Sequence, residues 1–145
     1  MRTIDSVPAF ADGTVLMPWK PGPRHDIPGP VCVSVTDFQT GSEDDVRQIY
    51  ELGLELGRTW PVMQGAVGLW LWGRPGEFRG GSITVWESER DMRRFVRWPV
   101  HTEIVRAWRG RVTVATDLWH ADAFDPAQVL IRARATLDHP HRSAA

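Results

Sequence analysis

Two short polar signals divide this chain into alternating units and leave little freedom in how it can fold. Ser42-Glu-Asp-Asp45 and Ser88-Glu-Arg-Asp91 each place a serine where its hydroxyl can cap the first turn of a helix, with acid in that turn. A run with strand character stands before each. Val31 to Phe38 alternates with strict period two, Val31, Val33 and Val35 against Cys32, Ser34 and Thr36, and Gly81 to Glu87 leads into Ser88. Between them, Val62 to Gly73 reads as a long strand with Trp70 and Trp72 on one face, and Arg74-Pro-Gly-Glu77 is its turn into the hairpin partner. The first helix runs about four turns to Thr59 and ends at Trp60-Pro61, while Pro99 must kink or divide the second. Arg111 to His120 is a fourth strand, and Asp125-Pro126 opens a last helix that reaches about Leu137. The order is β-α-β-β-α-β plus a helix, the split βαβ arrangement.

Three segments follow from this. Residues 1–30 carry Pro8, Pro18, Pro21, Pro23, Pro28 and Pro30, so they read either as an arm or strap with a short edge strand at Thr14 to Met17, docked in part through Trp19 and Val15-Leu-Met17, or as a poorly ordered leader. Residues 31–138 are the folded body, and 139–145 a polar tail. A chain of 145 residues suits one domain, which buries roughly 70% of its unfolded surface and needs no disulfide or metal staple. With 17 basic and 18 acidic residues, there is no electrostatic footprint for nucleic acid or an anionic membrane. The single cysteine, Cys32, lies in an apolar strand and allows no internal disulfide, which favours a cytoplasmic setting. No apolar stretch approaches a membrane span, and no export signal opens the sequence.

A four-stranded antiparallel sheet with two helices on one face leaves the other face bare. The strands are apolar or aromatic on both faces, notably at Trp70, Trp72, Trp86 and Trp119, so a homodimer packed sheet on sheet is expected.

With this order in place, residues 30 to 138 resemble the ferredoxin-like, dimeric α/β-barrel superfamily of antibiotic-biosynthesis monooxygenases, polyketide cyclases and several haem proteins. The sharpest part is Ser82-Ile-Thr-Val-Trp-Glu-Ser88 followed by Met92, Phe95, His101 and the Trp108-Arg109 pair, which is similar to the spheroidene monooxygenase type of protein. The resemblance implies an α+β fold and a monooxygenase-like or cyclase-like activity on a small hydrophobic, aromatic or polyketide-like molecule, with no tightly bound metal. It also implies one alternative, a haem-binding protein with His101 as axial ligand, and a ligand-binding or purely structural dimer without catalysis is a further reading of the chain. The leader and the Trp98-Pro99 break depart from the simplest members.

The residues themselves single out His101. From Pro99 onward, His101, Ile104, Val105 and Trp108 share one helical face, and a titratable ring among core side chains needs a hydrogen-bond partner, a ligand or a metal. Its ordinary pKa suits proton transfer near neutrality. The plain alternative is a structural histidine bonded to a carbonyl that Pro99 frees. On the first helix, Gly53 and Gly57 lie in an apolar arc with Tyr50, where each glycine costs about 0.8 to 1 kcal/mol against alanine. Either they allow close helix-on-sheet packing or they make room for a flat ligand. Trp86, Trp98, Phe95 and Trp108 complete the candidate substrate wall. Glu87 either orients His101 or sits as a negative charge before the second helix, and strand parity leaves open whether Trp86 or Glu87 faces the helices. Asp117 and His120 fall on opposite faces of their strand, against a dyad. Cys32 reads as inert, the run Glu43 to Asp45 as a helix start, and Arg90, Arg93, Arg94 and Arg97 as a solvated face.

Overall fold

The computed structural model describes residues 10, 11 and 13–144. Its strands are β1 (Val15–Leu16), β2 (Lys20–Pro21), β3 (Val31–Gln39), β4 (Ala66–Arg74), β5 (Arg79–Trp86), β6 (Thr113–Ala121) and β7 (Ser143–Ala144). Its helices are α1 (Glu43–Gly57), α2 (Glu89–Arg97), α3 (Pro99–Trp108) and α4 (Pro126–Asp138). The four long strands lie in the order β4-β5-β3-β6, every pair antiparallel, so the α+β, ferredoxin-like architecture expected from the element order is the one observed. The expected caps form as well. Ser42 Oγ accepts from Asp45 N at 3.1 Å, Ser88 Oγ from Asp91 N at 3.2 Å, and Asp125 Oδ1 from Ala127 N at 3.1 Å.

Two boundaries move for local reasons. Pro61 closes a 3₁₀ turn at Trp60–Val62, so β4 begins at Ala66 rather than at Val62. The second helix is divided and not merely kinked. Trp98, held extended at ψ 131° by the proline that follows it, separates α2 from α3.

Residues 1–9 and 12 of the arm, Pro8 among them, lie outside the described residues. The rest of the arm docks on the edge strand β4. Val15 and Leu16 pair with Gly73 and Trp72, Lys20 and Pro21 with Leu69 and Gly68, and Met17 N donates to Leu71 O at 2.8 Å. Gly68 is what admits Trp19, since a Cβ there would stand 1.9 Å from the indole. The tail is anchored too. Ser143 and Ala144 pair with Val114 and Thr113 on the edge of β6, while Ala145 lies outside the described residues.

Alternation along the central strands sorts two apolar clusters onto the two faces. Val31, Val33, Val35, Trp70, Trp72, Ile83 and Val85 belong to one, and Cys32, Leu69 and Trp86 to the other. The first face is the one expected to need a second copy of the chain, and the chain covers it itself. Val129, Leu130, Ala133 and Leu137 of α4 pack on it, helped by Leu16, Trp19, Ile27 and Phe124, and Val33, Val35, Ile83 and Val85 are left at 0% exposure. The argument for a sheet-on-sheet homodimer therefore lapses, because the apolar area that called for it is already out of water.

A buried ionic latch holds α4 in place. The Asp37 carboxylate, at 0% exposure, accepts two bonds from Arg79, Nη2 at 2.6 Å and Nε at 3.2 Å, and lies 2.8 Å from Arg142 Nη2. Arg79 Nη2 also donates to the carbonyl of Leu137 at 2.6 Å, which an α-helix leaves unbonded at its end. Arg74 adds bonds to that carbonyl at 3.3 Å, to Asp138 at 2.9 Å and to Thr14 at 2.7 Å.

Candidate functional site

The helix break positions the histidine. Ending α2 at Arg97 leaves the Val96 carbonyl without a helical partner, and His101, on the first turn of α3, brings Nδ1 to 3.1 Å from it. A carbonyl can only accept, so Nδ1 carries the proton and Nε2 is left with its lone pair. Burial lowers the imidazole pKa, with the bond to Val96 acting the other way, which favours the neutral ring.

The ring stands in an aromatic cluster. Its centroid is 4.8 Å from that of Phe95, which lies 5.4 Å from Trp86 of the sheet, 5.3 Å from Trp60 and 6.3 Å from Trp98. Four expected site residues, Trp86, Trp98, Phe95 and His101, are thus brought together through Phe95. Trp60 joins them from the 3₁₀ turn, 5.2 Å from Trp86. The sequence offered no reason to pick it beyond its place before Pro61. Its indole N–H and that of Trp70 are buried without a hydrogen-bond partner among the described residues. Trp86 faces the helices, its N–H donating to Thr84 Oγ1 at 2.9 Å, and Glu87 pairs instead with Arg24 of the arm at 3.1 Å. Glu87 therefore does not orient His101.

Other expected members lie apart. A Cβ on Gly53 would meet Leu71 Cδ2 at 3.3 Å, and one on Gly57 would meet Lys20 and Leu69 at 3.6 and 3.7 Å. The glycine notch thus serves close packing of α1 on the sheet and is filled by the chain's own side chains. Tyr50 is half-buried higher on α1. Trp108 is buried at the far end of α3, with the Arg111 guanidinium 4.0 Å above its ring.

Open space lies elsewhere on the same face. Because α1 rests on β4 and β5 and α2 on β5, β3 and β6 have the least helix cover on this face. Ser34, Thr36 and Ser82, on the two central strands, keep partial exposure, and Leu118 of β6 is 41% exposed. Strand pairing sets Thr36 opposite Ser82 and Ser34 opposite Thr84, which gives this open part of the sheet a row of hydroxyls that the alternating pattern contained but did not single out. A second opening, a groove of about 820 Å³, runs between the 3₁₀ turn and α2, with Phe95 and Trp98 on its wall. Arg90, Arg94 and Arg97, expected to be a solvated face, line it, while Arg93 pairs with Glu89 at 2.8 Å.

The remaining titratable candidates have ordinary partners. Asp117 is held by Arg132 at 3.1 Å and Thr136 at 2.8 Å, and His120 on the other face approaches Glu89 at 3.7 Å. Burial, then the Glu89 charge, pushes the Cys32 thiol up to about 11, so it stays protonated. No helix among the described residues is long and apolar enough to cross a membrane.

No protein-family model and no curated protein matches the sequence. Among solved structures, the chain is similar to LmHde, a heme-degrading enzyme from Listeria monocytogenes, at 13% identity over 74% of this chain and 69% of that one, with a TM-score of 0.53. It is also similar to SnoaB, a cofactor-independent oxygenase from Streptomyces nogalater, at 20% identity over 66% of this chain and 97% of that one, with a TM-score of 0.51. At such identities the likeness is one of fold. The chain thus has the ferredoxin-like architecture shared by a heme-degrading enzyme and a cofactor-independent oxygenase.

Proposed function

We propose that this protein is a monooxygenase-like or cyclase-like enzyme of the cytoplasm, with His101 as general base toward a small hydrophobic substrate of aromatic or polyketide-like character. The observation that carries the reading is the fixed tautomer of His101. Nδ1 is spent on Val96, and the neutral Nε2 is free to take a proton beside Phe95. The hydroxyls of Ser34, Thr36 and Ser82, on the same sheet face as Trp86, suit a ring system that carries oxygen. Loss of a proton from a phenol or an acidic C–H gives an anion delocalised over the rings. Such an anion can reduce oxygen itself, forming a C–O bond to a hydroperoxide that loses water to leave a carbonyl, so no cofactor is obligatory. The similarity to a cofactor-independent oxygenase is in keeping with this chemistry.

Oxygen uptake with a panel of polycyclic phenols tests the reading. Turnover should fall by about 10²- to 10⁴-fold in His101→Gln, the usual weight of a general base. Equal rates in wild type and variant would remove His101 from the chemistry.

The same geometry supports a second reading. A metal-binding imidazole characteristically donates its other ring N–H to a carbonyl, as His101 does to Val96, so Nε2 could ligate haem iron, which would supply the oxygen chemistry. A Soret band that develops on haem titration and is lost in His101→Ala would favour this reading over the first.

A further inference from the structure

The arginine-lined groove is not the open part of the sheet over the central strands, and it has a character of its own. Three guanidinium groups, Arg90, Arg94 and Arg97, stand on it at i, i+4 and i+7 of α2, and only Arg94 is neutralised, by Asp91 at 2.8 Å. Arg90 and Arg97 have no acidic partner among the described residues. Facing these charges are apolar surfaces that a solvated helix face has no use for. Val62 is 83% exposed, and the rings of Phe95 and Trp98 form the wall. The groove, about 820 Å³, is open to solvent, and these charges line it together with the apolar side chains.

We infer that this groove binds a flat aromatic carboxylate. The ring would lie against Trp98, Phe95 and Val62, and the carboxylate would be gripped by the guanidinium forks of Arg90 and Arg97, whose planar donors match its two oxygens. An inorganic anion would leave the apolar wall unused, and a neutral ring would leave two arginines without a counter-charge. This inference does not depend on His101 acting as a base. Phe95 nonetheless touches both the groove and the imidazole, so an occupant would press on a neighbour of His101.

Calorimetry with 2-naphthoate as probe, and 2-naphthalenemethanol as its neutral counterpart, tests the inference on the full chain. Naphthoate should bind saturably, the alcohol at least about tenfold more weakly, and Arg90→Ala with Arg97→Ala should weaken naphthoate by about tenfold to a hundredfold while leaving the alcohol unchanged. His101→Gln should retain naphthoate binding, which separates this site from the proposed catalytic one. Equal affinity for acid and alcohol, indifference of naphthoate to both arginine variants, or loss of binding in His101→Gln would each overturn the assignment. Thermal melting of every variant checks that the fold is kept.

Discussion

At the scale of single residues, two glycines that look alike in the sequence carry opposite predictions. A Cβ at Gly53 meets only the mobile end of Leu71 at 3.3 Å, whereas one at Gly81 falls 1.8 Å from the backbone oxygen of Thr36. Gly53→Ala should therefore be near neutral in urea denaturation, since better helix propensity offsets a slight crowding, and Gly81→Ala should cost about 1 to 3 kcal/mol as overpacking. The reverse order would show that the layer spacing is wrong. His101 gives a prediction in pH. Burial sets its folded pKa below the ordinary imidazole value, so as pH falls the unfolded chain takes up the proton first. The stability that the neutral ring contributes is complete above the unfolded value and is lost as pH falls from there through the lower folded one. Melting temperatures between pH 7 and 5 should thus drop less in His101→Gln than in wild type, and parallel curves would contradict the assignment. Position 101 was singled out because three apolar residues share its helical face, but that face is not a core one, since only Trp108 is buried while Ile104 is half-buried and Val105 is 37% exposed. Its hydrogen-bond partner was legible only as a consequence of Pro99, and the direction of Trp86 was not legible, because strand parity alone cannot say which face meets the helices.

Among the elements, the capped helices and alternating strands were readable because each signal is local, a serine three residues before an acid or a period of two. The role of α4 was not. Its helix and caps are visible at Asp125-Pro126, but its destination depends on contacts far apart in sequence, with Asp37, Arg79 and Leu137 meeting across the sheet. Asp37→Leu should be strongly destabilising, by about 3 to 5 kcal/mol, because it leaves Arg79 buried without its main counter-charge. Denaturant titration measures this, and a loss under 1 kcal/mol would mean that the latch carries little of the docking. Arg74 holds the Asp138 carboxyl below the usual range, chiefly by its hydrogen bond, so that part of the latch persists as pH falls and fails only in acid below the ordinary carboxylate value.

Over the whole molecule, the consequence of α4 is that the chain itself covers the sheet face opposite α1, α2 and α3. The open-face argument for a dimer failed because the arm and the last helix were read as appendages, although the apolar Val129, Leu130, Ala133 and Leu137 are what the sheet needed. Sedimentation of the full chain at micromolar concentration should give a monomer, and a stable dimer that survives substitution on the exposed helix faces would contradict the account. The chemistry proposed for the other face rests on one fixed proton. Nitrogen-15 NMR of the imidazole, assigned with His101→Gln, tests it most directly. The account predicts the Nδ1–H tautomer, a lone pair on Nε2 and a pKa below the ordinary histidine value; an Nε2–H tautomer, or a ring that titrates at or above that value, would contradict it.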